Sequence, residues 1–525
     1  MTTTETTSQT ADGQTTDGQT TDGQSAGVAE ITHWIDGTAD AGHGARRQEV
    51  FNPATGQVTG SLHLGDGEDL EKTLLAARRA ADLWAETSLS KRMAVLFRFR
   101  ELVASHTQEL AALITAEHGK VLSDAAGEVA RGLEVVEFAC AAPQTLKGDY
   151  SDQVSTGIDV FSFRQPLGVV AGITPFNFPV MVPLWMAPVA IVTGNAFVLK
   201  PSERDPSASL LLAQLWKEAG LPDGVFQVLH GDKEIVDGLL THELVDGVSF
   251  VGSTPIAQYV HETGTRHGKR VQALGGAKNH AVVLPDADLD LAADHLSAAA
   301  FGSAGERCMA ISVAVAVGDA ADALVEKVGQ RARDITVGDG TESSSEMGPL
   351  ITPDSKERVQ RLVGEAEADG AAVVVDGRDL VVDGREEGFF VGPTVLDRVQ
   401  EHMSAYEQEI FGPVLAVVRV DTLEDAIRVI NANPYGNGTA IFTGSGNAAR
   451  TFQRQVTVGM IGVNVPIPVP AAQHSFGGWK DSLFGDHHIY GPDGVHFYTR
   501  GKVITQRWPH QNDESTASLN FPSNG

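Results

Sequence analysis

The chain has 525 residues, which suits about three to four domain-sized units, and 42% of them are apolar, enough to build large cores. Its 68 Asp and Glu against 39 Lys and Arg give a net charge of −29, which would repel nucleic-acid backbones and acidic membrane surfaces. Two cysteines exclude a disulfide scaffold and a thiolate-rich metal site, and they indicate a cytoplasmic protein.

The sequence pattern divides the chain into a tail, a helical region and two series of strands and helices. Residues 1–27 repeat Thr-Asp-Gly-Gln with almost no large apolar side chains and predict a disordered tail. From Leu70 to Cys140, apolar spacings of three and four indicate helices. Short β-branched runs alternating with helical stretches then predict two parallel sheets. To the first we assign Leu167–Ile173, Ala196–Leu199, Val225–Leu229, Val248–Val251, Val271–Leu274 and Ala281–Leu284, and to the second Ser312–Val317, Ala372–Val375, Val414–Val420, Thr439–Phe442 and Met460–Val463.

One segment imitates a membrane span, because no charged residue occurs between Arg164 and Lys200. Five prolines interrupt it, which favours a strand, a loop and a short helix buried in protein. No membrane partner is therefore expected.

Two stretches, Tyr150–Phe163 and Val495–Ile504, alternate partly with period two and have no obvious helix partner. Exposed strand edges usually pair with another chain, so we hypothesise that these two stretches pair with each other as an intersubunit arm. The alternative is a pair of ordinary surface hairpins.

Cys308 is the candidate nucleophile. It follows an alanine-rich helix in a glycine-containing loop, where it would lie between the two domains, and the adjacent Arg307 would favour a thiolate. Cys140 lies at helical spacing from valines, which predicts that its small side chain is buried. Adjacent His487 and His488 lack a carboxylate or cysteine cluster, so no metal site is expected.

A thiolate that attacks a carbonyl needs a donor for the oxyanion. Asn177 lies in Pro175-Phe-Asn-Phe-Pro179, where two prolines stiffen the loop and two aromatic rings would exclude water. The alternative is an asparagine that binds its own loop backbone.

Lys200 and Glu203 follow a predicted strand, and ligands bind beyond the carboxyl ends of such strands. The two side chains could hold ribose hydroxyls, and the carboxylate would repel a 2′-phosphate, which favours NAD over NADP. Gly252-Ser-Thr254 opens a later helix, a site suited to pyrophosphate.

Together these features resemble the aldehyde dehydrogenase superfamily from about Ile31 to Trp508. The matching segments, in chain order, are Pro175-Phe-Asn-Phe-Pro179, Lys200-Pro-Ser-Glu203, Phe250-Val-Gly-Ser253, Cys308, Glu409-Ile-Phe-Gly-Pro413 and Phe476-Gly-Gly478. Ala257 departs from the family, which often has a glycine there.

The resemblance implies an enzyme that forms a thiohemiacetal at Cys308, with oxyanion support from Asn177 and hydride transfer to NAD. It places Lys200, Glu203 and Glu409 on the cofactor riboses. Thr174, Phe176, Gly252, Ser253 and Phe411 complete the implied cofactor site.

Leu274 is the most informative departure. Hydrolytic family members carry a glutamate four residues before Lys278, and leucine there can neither accept a proton nor orient water. A thiol needs less help than water to act as a nucleophile, so we expect the acyl group to be transferred to coenzyme A.

Four further segments resemble the coenzyme-A-acylating methylmalonate-semialdehyde dehydrogenases: Gly305-Glu-Arg-Cys-Met309, Ala277-Lys-Asn-His280, Asn431-Ala-Asn-Pro-Tyr-Gly-Asn-Gly438 and Asn464-Val-Pro-Ile-Pro-Val-Pro470. This subfamily implies oxidation of malonate or methylmalonate semialdehyde to acetyl-CoA or propionyl-CoA with decarboxylation, in valine and inositol catabolism. Arg131, Arg307 and Phe178 are the implied substrate residues. The structural alternative for Arg131 is a solvated helix residue.

Two other functions remain open. One is a hydrolytic NAD-dependent aldehyde dehydrogenase in which Glu306 or another carboxylate replaces the missing base. The other is a catalytically silent binding homologue.

The implied fold class is α/β, with a Rossmann-like NAD-binding domain, a second α/β catalytic domain and a small β oligomerisation arm. We place the NAD-binding domain at 28–145 and 168–275, the catalytic domain at 276–480, the arm and C-terminal segment at 146–167 and 481–509, and a flexible C-terminus at 510–525. A homo-oligomer, dimer or tetramer, is expected.

Overall fold

The computed structural model describes residues 28–508. The tail predicted at 1–27 and the flexible C-terminus predicted at 510–525 lie outside the described residues. Short strands and then long helices come first: β1 (Ala29–Ile31), β2 (His33–Ile35), β3 (Thr38–Asp40), β4 (Arg47–Asn52), β5 (Gln57–His63), α1 (Gly67–Ala85), α2 (Leu89–Ser105), α3 (Thr107–His118), α4 (Leu122–Cys140) and α5 (Ala142–Thr145).

Strands and helices alternate in the next part of the chain, as the sequence predicts. The elements are β6 (Tyr150–Ser155), β7 (Ile158–Pro166), β8 (Val169–Ile173), α6 (Met181–Val192), β9 (Ala196–Lys200), α7 (Ser207–Glu218), β10 (Phe226–Val228), α8 (Lys233–Thr241), β11 (Gly247–Val251), α9 (Thr254–Arg266) and β12 (Arg270–Leu274).

A second alternating series completes the chain. It contains β13 (Asn279–Val283), α10 (Leu289–Phe301), a 3-10 helix (Gly302–Gly305), β14 (Ile311–Val317), α11 (Ala320–Asp334), α12 (Pro353–Ala368), β15 (Ala372–Val375), β16 (Thr394–Asp397), α13 (Ser404–Glu407), β17 (Val414–Val420), α14 (Leu423–Ala432), β18 (Tyr435–Gly436), β19 (Gly438–Phe442), α15 (Gly446–Gln455), β20 (Met460–Val463), β21 (Trp479–Lys480), β22 (Leu483–Phe484), α16 (Gly491–Phe497) and β23 (Thr499–Arg507).

The first sheet has the strand order β22-β12-β11-β8-β9-β10-β2-β3, and its five central strands are parallel. The chain runs outward from β8 through β9 to β10 and then returns to β11 on the other side of β8. Consecutive crossovers therefore diverge between β8 and β11, which creates a crevice at the carboxyl ends of these strands.

The second sheet has the order β15-β16-β17-β14-β13-β19-β20 and is parallel apart from β15. Two largely parallel sheets with flanking helices confirm the predicted α/β fold class. One strand assignment is wrong, because β13, which covers most of the run Ala281–Leu284, pairs with β14 and β19 and not with the first sheet. An apolar run carries no information about which of two adjacent sheets it joins.

The uncharged segment forms β8, the Pro175–Pro179 loop, helix α6 and β9. All twelve residues of α6 are buried, although Pro188 lies inside the helix. Within residues 28–508, none of the helices has the length and apolarity needed to cross a bilayer.

The predicted arm is a three-stranded antiparallel sheet of order β23-β7-β6. β23 pairs along its whole length with β7, from Thr499 opposite Pro166 to Arg507 opposite Ile158. The strand boundary expected at Val495 is wrong, because residues 495–497 belong to α16. The sheet exposes several large apolar side chains, namely Tyr150, Val154, Phe163 and Val503.

Such an exposed apolar sheet is suited to contact a second copy of the chain. Val503→Glu would place a charge in that contact and should weaken self-association at least about tenfold in sedimentation velocity. The matched control is Val381→Glu, since Val381 is 65% exposed and Val503 is 67% exposed. Unchanged association of the Val503 variant would contradict an intersubunit role for the arm.

Candidate active site

The crevice between β8 and β11 opens into a cavity of about 370 Å³, called here the crevice cavity. This volume is in the range of small-molecule sites. Both halves of the chain line it: Phe176, Asn177, Gly252 and Ser253 come from loops of the first sheet, and Cys308, Glu409 and Phe411 come from the second series of elements.

Cys308 lies in the loop between the 3-10 helix and β14. Its main-chain carbonyl accepts hydrogen bonds from Asn279 Nδ2 at 2.8 Å and Asn437 Nδ2 at 3.1 Å. Gly305 has φ +73°, and a Cβ there would lie 2.1 Å from the carbonyl oxygen of Gly412. The backbone of the cysteine is therefore fixed on both sides of the loop.

Arg307 lowers the pKa of the Cys308 thiol, as expected, but burial outweighs this effect. Burial, together with the nearby Glu409 carboxylate, raises the pKa of the Cys308 thiol to about 12, and the Arg307 charge offsets little of this. The guanidinium of Arg307 instead forms an ion pair with Asp124. The thiol is partly exposed to cavities but removed from bulk water, and desolvation favours its neutral form.

Asn177 is 3% exposed and lines the crevice cavity together with Cys308, as an oxyanion donor requires. Its main-chain carbonyl accepts a hydrogen bond from Lys120 Nζ at 2.6 Å. Its side-chain amide makes no hydrogen bond to another residue within 28–508. The alternative, an asparagine bound to its own loop backbone, is therefore not observed.

Thr174, Lys200 and Glu203 lie at the carboxyl ends of β8 and β9, where Ile173 is paired with Lys200. Lys200 Nζ is 3.1 Å from Glu203 Oε2, and the Thr174 amide donates to the Lys200 carbonyl at 3.1 Å. Although burial opposes ionisation of Glu203, the Lys200 charge lowers the pKa of this carboxyl overall. These three residues lie outside the lining of the crevice cavity.

Gly252 and Ser253 follow β11 and precede α9, so the first amides of that helix lie beside the crevice cavity. A helix N-terminus with free amides attracts anions. Ala257 is fully buried in the core under this helix. Its methyl group therefore packs inward and does not line the cavity.

Glu409 and Phe411 bring the second sheet's loops to the same cavity. Burial raises the pKa of Glu409 to about 7, and its Oε1 accepts from the Ala277 amide at 3.1 Å. Arg358 donates to the carbonyls of Glu409 at 2.8 Å and Ile410 at 2.6 Å, which fixes this loop. Phe411 has φ +56°, and its ring meets that of Phe176 edge to face at 5.8 Å.

A second cavity of about 590 Å³, called the arginine cavity, adjoins the first. Arg131, Arg307, Phe178 and Cys308 line it together with apolar side chains such as Trp185. Each arginine already has a counter-ion, since Arg131 Nη1 is 2.8 Å from Glu134 Oε1 and Arg307 binds Asp124. Cys308 therefore lies where the two cavities meet.

Leu274 ends β12 and is 3% exposed, within the apolar cluster against which Cys308 packs. Glu306, the alternative base, is fully buried, and burial raises its pKa to about 8. It lines neither cavity, and its nearest donor is the Ile351 amide at 3.5 Å. The structure thus offers no support for Glu306 as a replacement base.

Sequence reasoning assigned no role to several residues that hold the site: Asn279, Asn437, Arg358, Lys120 and Glu128. All act on backbone groups of residues distant in the chain. The only available signal was the presence of three asparagines in segment 431–438.

Comparison with known proteins agrees with this geometry. The model of the aldehyde dehydrogenase family matches residues 40–504. The malonate-semialdehyde dehydrogenase of Pseudomonas aeruginosa is 57% identical over 497 residues, which cover 94% of this chain and 100% of that protein. Malonate-semialdehyde dehydrogenase 1 of Geobacillus thermodenitrificans is 49% identical, over 92% of this chain and 100% of that protein.

Two solved structures are similar throughout. The methylmalonate-semialdehyde dehydrogenase of Oceanimonas doudoroffii has a TM-score of 0.91 and 57% identity, covering 92% of this chain and 99% of that one. A putative methylmalonate-semialdehyde dehydrogenase of Sinorhizobium meliloti complexed with NAD has a TM-score of 0.92 and 48% identity, over 93% of this chain and 99% of that one.

The raised pKa of Cys308 predicts slow alkylation of the free protein. A pKa of about 12 leaves roughly 10³-fold less thiolate at pH 7.5 than an ordinary cysteine has. Carbamidomethylation of Cys308, followed by peptide mass spectrometry, should therefore accelerate about tenfold per pH unit up to pH about 10. Cys308→Ser identifies the background from Cys140, and a plateau below pH about 8 would contradict the prediction.

Proposed function

The chain belongs to the aldehyde dehydrogenase family and is an oxidoreductase, and we propose that it oxidises malonate or methylmalonate semialdehyde with NAD and passes the acyl group to coenzyme A. The observation that carries the proposal is the position of Cys308, which lines both the crevice cavity and the arginine cavity. One cavity is suited to a dinucleotide and the other to a carboxylated aldehyde.

The residues of the crevice fit NAD. The first amides of α9 suit a pyrophosphate, the buried Thr174 hydroxyl has no hydrogen-bond partner among residues 28–508, and the Glu203 carboxylate would repel a 2′-phosphate. Lys200, Glu203 and Glu409 would hold ribose hydroxyls, with Phe176 and Phe411 beside them. When bound, NAD accepts the hydride that takes the aldehyde carbon to the acyl oxidation level.

The arginine cavity suits the substrate carboxylate, because planar guanidinium groups bind carboxylates in a bidentate manner. Arg131 and Arg307 would turn from Glu134 and Asp124 to the substrate or share their donors with it. Phe178 and Trp185 supply an apolar wall for the short carbon chain. This arrangement directs the aldehyde carbon toward Cys308.

Covalent chemistry begins when the Cys308 thiol releases its proton to solvent and the sulfur adds to the aldehyde carbon, so that the carbonyl oxygen becomes an oxyanion. The Asn177 amide would donate to that oxygen in a largely dry site. After oxidation the acyl group is a thioester of Cys308. The bond between the α-carbon and the carboxylate then breaks, the carboxylate leaves as carbon dioxide, which water hydrates to bicarbonate, and the α-carbon takes up a proton from solvent. The thiol of coenzyme A then displaces Cys308 and releases acetyl-CoA or propionyl-CoA.

Leu274 explains the choice of coenzyme A over water. Leu274, which is buried in the apolar cluster against which Cys308 packs, cannot deprotonate water, and losing a general base costs about 10²–10⁴ in rate. A thiol has appreciable thiolate at neutral pH and attacks without a dedicated base.

The test of the proposal measures NADH and acyl products from malonate and methylmalonate semialdehydes, with and without coenzyme A. Wild type should give acyl-CoA and little free acid, and Cys308→Ala should give no NADH. Leu274→Glu should raise the free-acid fraction, whereas the matched neutral variant Leu274→Gln should not. If wild type without coenzyme A released as much free acid as it releases acyl-CoA with coenzyme A, hydrolysis would be favoured. If it formed no NADH from any aldehyde, a silent homologue would be favoured.

The substrate assignment predicts selective losses in the arginine cavity. Breaking a charge pair with a bound carboxylate costs about 2–5 kcal/mol, so Arg131→Leu should lower kcat/KM for the semialdehydes at least about 30-fold. Propionaldehyde, which lacks a carboxylate, should lose far less. Arg307→Leu should also slow propionaldehyde, because it leaves the partly buried Asp124 without its partner.

The control for these variants is Arg100→Leu, since Arg100 pairs with Glu137 and lines neither cavity. Its kcat/KM values should stay near those of wild type. Equal losses for charged and neutral aldehydes in Arg131→Leu would show that Arg131 is structural.

A further inference from the structure

A fully buried ion pair lies beneath the loop that carries Asn177. Lys120 Nζ is 2.8 Å from Glu128 Oε2, and both side chains have no exposed surface. Desolvation usually offsets the attraction within a buried pair, so such a pair is weak evidence of stabilisation. The contacts that the two side chains make with the loop supply another reason for their presence.

Both charged groups bind the backbone of the same short segment. Lys120 Nζ donates to the Asn177 carbonyl at 2.6 Å, and it lies 4.5 Å from the ring centroid of Phe178. Glu128 Oε1 accepts from the amides of Val180 at 2.9 Å and Met181 at 3.0 Å. The ion pair therefore connects the carbonyl of Asn177 to the start of helix α6.

The direction of the Asn177 amide depends on this backbone. The amide makes no hydrogen bond to another residue between 28 and 508, so only packing and the fixed main chain orient it. Hydrogen bonds to charged groups are about twice as strong as neutral ones, and Lys120 supplies one directly to this residue. A misplacement of about 1 Å in such a donor can cost about 10² in rate.

We propose that Lys120 and Glu128 are positioning residues that hold the Asn177 amide toward the oxyanion, and this rests on the function proposed above only in the role of Asn177. Neither side chain lies in the lining of the crevice cavity. Glu128 lines the arginine cavity, but its two oxygens are occupied by Lys120 and by the α6 amides. Both residues act through Asn177.

The test is a double-mutant cycle on the first turnover. The readout is the pre-steady-state burst of NADH with propionaldehyde and no coenzyme A, which is independent of the substrate carboxylate and of acyl transfer. Asn177→Ala should slow the burst about 10²–10³-fold. Lys120→Met should slow it at least about tenfold, with KM for NAD unchanged, and should add less than about twofold in the Asn177→Ala background.

A second variant separates positioning from the cost of an unpaired buried charge. Lys120→Met leaves the Glu128 carboxylate unpaired, whereas Lys120→Met combined with Glu128→Gln removes both charges of this pair. The double variant should keep the slow burst, because the Asn177 carbonyl still lacks its donor. Recovery of the wild-type burst would overturn the proposal, as would a Lys120→Met effect of equal size with and without Asn177.

Lys269→Met is the matched control. Lys269 is buried and binds the carbonyl of His242, remote from both cavities, so its loss should leave the burst rate unchanged. A wild-type protein that forms no NADH from propionaldehyde or from either semialdehyde would refute the proposed function, and an Asn177→Ala variant with a normal burst would refute the oxyanion role. Both results differ from a Lys120→Met effect of equal size with and without Asn177, so failure of the proposed function and failure of the positioning role can be told apart.

Discussion

Two amide side chains from the second half of the chain, Asn279 and Asn437, bind the carbonyl oxygen of Cys308 and hold its loop between the two sheets. Asn279 begins β13 and Asn437 precedes β19, and these strands are neighbours. The parallel pairing of the second sheet therefore sets the position of the sulfur. The crevice of the first sheet becomes a site because this loop reaches its open end.

Buried lysines act on the other loops in the same way. Lys278 donates to the carbonyls of Ala405 and Gln408, each at 2.7 Å, beside Glu409. Burial lowers the pKa of Lys278 to about 7, which shows how strongly the surroundings oppose its charge. Lys120 binds the Asn177 carbonyl on the opposite wall. Both loops of the crevice cavity thus receive hydrogen bonds from buried lysine side chains, which favours one backbone geometry.

The same desolvation governs reactivity. Burial raises the pKa of the Cys308 thiol to about 12 and so disfavours the thiolate, which is the form that is oxidised and alkylated. It also means that the protein contacts seen here do not preform the thiolate. Leu274 is buried in the apolar cluster against which Cys308 packs, and unlike a carboxylate it cannot act as a base toward water.

The sequence by itself determined the α/β class and most strand positions, and it pointed to Cys308 as the candidate nucleophile, to the stiff loop of Asn177 and to a leucine, which cannot act as a base, at position 274. Each of these follows from local periodicity or residue type. Only the tertiary structure decided that β13 joins the second sheet, that Cys308 lines two cavities, and that burial raises the pKa of its thiol. It also revealed the counter-ions of Arg131 and Arg307 and the contacts of Lys120 and Asn437. These depend on burial and on pairs such as Lys120 with Asn177 or Cys308 with Asn437, which are 57 and 129 residues apart. Desolvation and long-range hydrogen bonds arise only when such segments meet, so no local pattern encodes them.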